Sequence, residues 1–257
     1  MLSRDAHSTF TMLSGDVLAQ SGSFSNSTPS GAYVGYENGA SNGDGISVYP
    51  NAASAALFLL TTQAGSQFSL LMEENNGQGK LKLEESQGPF PYAVDANGRM
   101  TLSGTGGGAP VFYLANGSQI FGTEQPTSGS GGGNAALITL TQQSGSSFSC
   151  TAPTGSFFLG SVRPPVSMNT LSGVLSQSGG VATVTIDQSR AGGVLTQGES
   201  DTLTCSSDSL SATTGRFVYT NANGNTSVGY TISPNNASVL MDITPGKTLP
   251  SVIYVQK

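Results

Sequence analysis

Gln67-Phe68-Ser69-Leu70-Leu71-Met72-Glu73-Glu74, followed by Asn75-Asn76-Gly77, is the stretch whose reading decides the fold. Phe68, Leu70 and Met72 stand at every second position. That period belongs to a half-buried strand, because successive side chains leave its opposite faces. The same period returns at Ala182, Val184 and Ile186, at Phe217 and Tyr219, and at Val228, Tyr230 and Ile232. Between such runs lie Asn38-Gly39, Asn42-Gly43, Asn97-Gly98, Asn116-Gly117 and Asn223-Gly224, pairs that accept positive φ in tight hairpins. Apolar residues nowhere recur at helical spacing over a dozen positions. The chain therefore reads as all-β.

The pattern occurs twice. Gln20-Ser21-Gly22-Ser23-Phe24-Ser25 returns as Gln143-Ser144-Gly145-Ser146-Ser147-Phe148-Ser149, and Ser30-Gly31-Ala32-Tyr33 as Thr154-Gly155-Ser156-Phe157. Later, Gly98-Arg99-Met100 returns as Gly215-Arg216-Phe217, and Val111-Phe112-Tyr113 as Val228-Gly229-Tyr230. The early matches are offset by 123 residues at Gln20 and by 124 from Phe24 onward, and the late ones by 117, so a length change of seven lies between Tyr33 and Gly98. Two copies of one domain are expected, residues 21–143 and 144–257. The first copy ends in Leu140-Thr141-Gln142-Gln143 and the second in Tyr254-Val255-Gln256, and Val17-Leu18-Ala19-Gln20 is a third such ending. Residues 1–20 thus resemble the closing strand of a preceding repeat.

Within the first copy, strands are expected at about 31–37, 45–49, 56–62, 67–74, 80–85, 90–103, 110–115, 118–124 and 136–143. About eight strands with hairpin-length loops suit a small up-and-down barrel, with a β-sandwich as the alternative. Closure would remove the edges that long neutral strands expose. Phe68, Met72, Phe90, Tyr113, Phe217, Tyr219 and Tyr230 are the expected inward residues, filling an interior that in a barrel of this size is packed or holds one small ligand.

Lys and Arg number 9 and Asp and Glu 15, charged residues are only 9%, and glycine is 35 of 257. A nucleic-acid partner is not expected, since phosphate neutralisation requires clustered Lys and Arg. The longest apolar run, Ala55 to Leu60, is far short of a membrane helix, and the N-terminus shows no signal peptide. Composition points instead to an extracellular or cell-surface protein, with the N-terminus of the gene product left open.

The succession Gln-Ser-Gly-x-Phe-Ser, Ser/Thr-Gly-aromatic, Asp95-Ala96-Asn97-Gly98-Arg99, Val-Phe-Tyr and a closing strand ending in Gln resembles tandem β repeats of large surface proteins of soil bacteria, Acidobacteria especially. The second copy departs from it with Thr213-Thr214-Gly215-Arg216 in place of the Asn-Gly-Arg turn. The resemblance implies a cell-surface β-repeat protein and carries over no catalytic residue.

No constellation in the sequence carries chemistry, and no cofactor is expected. The sole histidine, His7, lies in the N-terminal tail. Glu73-Glu74 and Glu84-Glu85 are adjacent pairs whose members face opposite sides of a strand; Glu73 with Glu84 across a hairpin stays open as a carboxylate pair, but the second copy offers only Asp187 and Glu199 nearby, so a solvated face is expected for them. Asn38, Asn42 and Asp44 place oxygens in one loop as a weak calcium candidate, but calcium takes six to eight oxygens, several of them carboxylate. Arg99 and Arg216 recur at one site of each copy, to cover a barrel end or to pair with Asp95 or Asp208. Cys150 and Cys205 are either two buried thiols or, in an exported protein, a disulfide.

Two functional classes follow. One is a non-enzymatic structural or adhesive module, partnered by itself or by neighbouring repeats of a longer array and self-associating through residues 9–20. The other is a small-molecule or glycan-binding pair of barrels, with a glycan or surface polymer as partner and Tyr33, Tyr36, Tyr49 and Phe112 as stacking residues. Aromatics exposed in both copies would favour the second class and aromatics turned inward the first.

Overall fold

The structure, a computed structural model, describes residues 2–6, 9–13, 18–40, 53–75, 81–103, 109–123, 135–162, 170–190, 194–246 and 251–257. Strands β1 (Leu2–Ala6) and β2 (Thr9–Leu13) form a two-stranded antiparallel sheet by themselves. Strands β3 (Ala32–Ala40), β4 (Ala53–Gln63), β5 (Gln67–Asn75), β6 (Leu81–Val94), β7 (Arg99–Leu102), β8 (Val111–Leu114), β9 (Gln119–Thr123) and β10 (Ala135–Gln142) follow one another around a closed barrel. Strands β11 (Gly155–Ser161), β12 (Thr170–Ser178), β13 (Val181–Arg190), β14 (Val194–Ser206), β15 (Arg216–Asn221), β16 (Thr226–Ser233), β17 (Ala237–Asp242) and β18 (Val252–Gln256) close a second. Every pairing is antiparallel, and the only helix among the described residues is the single turn α1 (Ser211–Thr214). The fold is two closed eight-stranded up-and-down barrels in tandem.

Two strand boundaries differ from the sequence expectation. Residues 45–49 lie outside the described residues. The expected break between 85 and 90 is a register shift inside the long strand β6, between the partners Phe68 and Leu70. Pro89 is tolerated there because a bulge asks for no ladder N–H. The true turn is Asp95 to Gly98, which divides β6 from β7 inside the expected strand 90–103. Residues 9–13 do form a strand, but they pair with 2–6 and not with a barrel. A closing strand requires two neighbouring strands, and the barrels supply those from within.

The first interior is filled by Tyr33, Phe58, Leu60, Phe68, Tyr92, Met100, Phe112, Leu114, Ile120 and Leu140, with Phe90 and Met72 against them. Phe157, Leu159, Leu175, Phe217, Tyr219, Leu240 and Val255 fill the second. The two copies solve one contact in opposite ways. Phe112 faces Gly122 across β8–β9, and a Cβ on Gly122 would lie 2.4 Å from the Phe112 ring. At the same ladder position of the second barrel the small residue comes first, Gly229, and the large one second, Leu240. One bulky side chain fits that layer, and either strand can carry it.

Tyr113 and Tyr230, expected inside, point outward. Alternation gives a strand two phases but does not say which faces in. In Val228-Gly229-Tyr230-Thr231-Ile232 the apolar phase is turned away from the barrel axis, and the interior phase holds Gly229.

One end of each barrel is stoppered by the Gln-Ser-Gly motif. Gln20 Nε2 donates to the carbonyls of Asn97 and Leu114, both at 2.8 Å. Gln143 Nε2 donates to the carbonyls of Thr214 and Thr231 at 2.9 and 2.6 Å. The amide lies against Gly98 in one copy and Gly215 in the other, where a Cβ would come within 2.5 and 2.8 Å of it. Both glycines are left-handed, φ 76° and 71°, so this turn excludes a side chain twice over. Phe24 and Phe148 enter behind the glutamine.

The junction between the barrels is one residue long. Gln142 Nε2 donates to Ser30 O, and Gln143 N–H to Ala32 O, both in the first barrel. The Gln143 side chain already belongs to the second barrel, as does Ser144, whose N–H donates to Ile232 O.

Candidate functional site

Strand β4 runs Ala55-Ala56-Leu57-Phe58-Leu59-Leu60 without polar interruption, and all six residues are buried. Ala56, Phe58 and Leu60 face the barrel interior, while Ala55, Leu57 and Leu59 face outward. The outward set, with Val34, meets the outward residues of the second barrel, Val228, Tyr230, Ile232, Val239, Met241 and Val252, in one apolar cluster. A strand buried on both faces reads as a continuous apolar run.

At the edge of this cluster lies a buried ion site. Glu73, on the outward phase of β5, is 0% exposed, and Arg216, at the start of β15, is 3% exposed. Arg216 Nε donates to Glu73 Oε1 at 2.6 Å, and the Tyr230 hydroxyl donates to the same oxygen at 3.2 Å. Glu73 Oε2 accepts the Glu84 N–H at 3.1 Å, made possible by a left-handed Glu84, φ 57°, at a register shift in β6. Arg216 Nη1 pairs with Glu84 Oε1 at 3.2 Å and with Asp208. Asp208 in turn caps the α1 turn, accepting from the N–H groups of Leu210 and Ser211. Alongside, Asn75 Nδ2 reaches Asp242 O at 3.2 Å.

Removing a charge from water is costly unless every lone pair is met, and here the partners are supplied. Burial works against the Arg216 charge, but the hydrogen bond and field of Glu73, with Glu84, outweigh it and raise its pKa. Burial likewise works against the Asp208 carboxylate, and the Leu210 and Ser211 donors and Arg216 more than compensate, so its pKa is lowered. Burial first, and Glu73 second, push the Tyr230 hydroxyl far above the ordinary tyrosine range. The site sets one phenol and one guanidinium among the carboxyl groups of Glu73, Glu84 and Asp208. Its one fully buried carboxylate is occupied by protein donors, so the arrangement holds two barrels together.

The expected solvated face is thus corrected for Glu73: its phase of β5 is the one covered by the second barrel. Arg216 does pair with Asp208, and its principal partner, Glu73, comes from the other copy. Arg99 makes no side-chain ion pair among the described residues; its N–H donates to Asp95 Oδ1 at 3.0 Å.

Tyr33 and Phe112 are buried in the first interior, where the Tyr33 hydroxyl donates to Gly117 O at 2.6 Å, so neither ring faces solvent. Tyr36 packs against the inter-barrel cluster. Tyr49, Asn42, Asp44 and His7 lie outside the described residues, and Asn38 lies in β3. Among the described residues no group of three His, Cys, Asp or Glu side chains is placed to hold a metal. Cys150 and Cys205 form a disulfide, Cα atoms 5.9 Å apart, bridging the segment before β11 to strand β14.

A second polar group lies at the mouth of the first barrel, at the end away from the glutamine, with the Lys82 side chain exposed and Glu74 half-buried. Glu37, Ala56, Glu74 and Lys82 stand in one row across β3–β6. Lys82 Nζ lies 2.8 Å from Glu74 and 3.8 Å from Glu85. The Glu74 hydrogen bond, against a smaller effect of burial, raises the Lys82 pKa.

No family model matches the chain, and no curated protein matches it. Among solved structures it is similar to a "putative AttH" of Nitrosomonas europaea, at 8% identity over 88% of this chain and 92% of that one, with a TM-score of 0.30. The barrels themselves are read from the strand order, and no described helix is long and apolar enough to cross a membrane.

Proposed function

We propose that the chain is a non-enzymatic structural or adhesive module of an extracellular or cell-surface β-repeat protein, in which paired barrels supply a rigid, neutral spacer. One observation carries this reading: the residues shared by the two copies close, stopper and join barrels. The Gln20 and Gln143 amides seal one end, Phe24 and Phe148 back them, and Arg216 locks the second copy to the first. Of the aromatic residues that sequence set aside for ligand stacking, Tyr33 and Phe112 are buried in the first barrel and Tyr36 is half-buried against the inter-barrel cluster. A disulfide accompanied by few charges suits an oxidising compartment.

A glycan- or small-molecule-binding module is the second reading, favoured by the inward row of Glu37, Glu74 and Lys82. Thermal unfolding against a panel of soluble glycans and small amines separates the two. A ligand at a hundred times its Kd adds about 2.7 kcal/mol, a shift of several degrees in Tm. The structural reading expects no shift beyond about 1 °C; a reproducible rise would replace it.

A further inference from the structure

The internal contact uses two different faces: the β3–β5 face of the first barrel receives the β15–β18 face of the second. Each barrel carries both faces, so one of each is left over. Barrel register identifies the equivalent residues. Val34 pairs with Leu59, as Phe158 pairs with Val174. Leu57 pairs with Glu73, as Ser172 pairs with Asp187. Asp187 therefore occupies the place of Glu73. The supporting bulge recurs as well: Gly198, φ 64°, donates its N–H to Asp187 Oδ1 at 2.8 Å, as the left-handed Glu84 does to Glu73.

The other face repeats in the same way. Arg99 opposes Tyr113 as Arg216 opposes Tyr230, and Leu137 opposes Thr123 as Val252 opposes Met241. In the internal contact Tyr230 is 0% and Val252 2% exposed, whereas Tyr113 is 51% and Leu137 53% exposed. On the receiving side Val34 and Leu59 are buried, while Phe158 is 72% and Val174 42% exposed. Four of the large apolar side chains left in solvent are thus the counterparts of residues that the internal contact buries.

We propose that these two faces bind each other between molecules. The β11–β13 face of one copy, with Phe158, Val174 and Asp187, receives the β7–β10 face of a second copy of this chain, with Arg99, Tyr113 and Leu137. Arg99 meets Asp187 as Arg216 meets Glu73. The contact is heterologous, so it adds barrels in the order first, second, first, second, and yields a filament or a ring according to the rotation per step. The receiving face is more polar than its template, since Ser172 and Thr185 stand where Leu57 and Leu71 stand, and the association is correspondingly weak. This inference deepens the structural reading: a strictly monomeric chain removes the contact and leaves the spacer intact.

Sedimentation of the full chain over a concentration series tests it. The expected result is a weight-average mass that rises with concentration, and an association at least about tenfold weaker in Asp187→Arg and in Arg99→Glu, since each places like charges face to face. Mixing the two variants restores association, because the reversed pair and the native pair are then both available between unlike molecules. Circular dichroism and unfolding midpoints of the variants, expected near those of the parent, exclude misfolding as the cause. A monomer throughout, an association that neither variant weakens, or a mixture that stays dissociated would overturn the proposal. So would an association abolished by deleting residues 2–13 and untouched by both charge variants, which would place self-assembly on β1 and β2.

Discussion

The first barrel fastens its plug to its wall with a hydrogen bond, and the second fastens it with a covalent bond. Tyr92 donates its hydroxyl to the carbonyl of Asn26 at 2.9 Å. By the offset that carries Phe24 to Phe148, Asn26 corresponds to Cys150. By ladder position, Tyr92 opposite Leu102 corresponds to Cys205 opposite Tyr219. The neighbouring turn is the same in both, with Ser25 Oγ and Ser27 Oγ 2.9 Å apart and Ser149 Oγ and Thr151 Oγ1 likewise 2.9 Å apart. The comparison separates what the fold requires, a tie between plug and wall at this point, from the chemistry that supplies it.

The largest asymmetry between the copies is at the arginine. Arg216→Met leaves Glu73 buried without its counter-charge and should cost about 3–5 kcal/mol, whereas Arg99→Met, at the same position of the first barrel, should change stability by less than about 0.5 kcal/mol. Urea unfolding of both variants checks this; equal losses would mean that Arg216 does not act through the inter-barrel site. Next comes the tie itself. Replacing Cys150 and Cys205 by Ala should cost about 2–4 kcal/mol, and Tyr92→Phe only about 0.5–1.5 kcal/mol. If Tyr92→Phe proves the more damaging, the two ties are not equivalent.

The exchanged Phe and Gly give a smaller, reciprocal test. Gly122→Leu overfills the layer beside Phe112 and should cost about 1–3 kcal/mol. Adding Phe112→Gly imports the arrangement of the second barrel and should recover most of the loss. A double variant no better than the single would show that the two interiors are not interchangeable at this layer.

The pH limits of stability should show the smallest effects. Asp208 has a lowered pKa, so below its ordinary range the unfolded chain takes up the proton first, and the stabilisation it contributes is lost as pH falls through its folded value. Tyr230 has a raised pKa, so above about 10 the unfolded phenol ionises first and stability declines as pH rises. Urea midpoints measured across pH 2 to 11 should fall at both ends, and Tyr230→Phe should flatten the alkaline limb. An unchanged limb would assign it to the other buried tyrosines.

Turn chemistry and period-two alternation made the strands and the twofold repeat legible, because both are local properties of the chain. The ion site was not. Glu73 sits in an alternating strand that looks half-solvated, and its partner is 143 residues away. The usable signal lay in the neighbouring strand: Ala55 to Leu60 is apolar on both phases, which requires a second packing surface outside the barrel. The same omission inverted Tyr230. Its strand has an apolar phase because a second barrel covers it, and one chain segment cannot say which of its faces meets which barrel.

The one-residue junction has a mechanical consequence. Gln143 hands its backbone to one barrel and its amide to the next, so the joint has no lever arm and no swivel. Modules strung on Gly/Ser linkers lengthen under tension by straightening the linkers. Here there is no slack to take up. Two barrels joined in this way have no linker to straighten, and their spacing along the chain is set by the hydrogen bonds of Gln143.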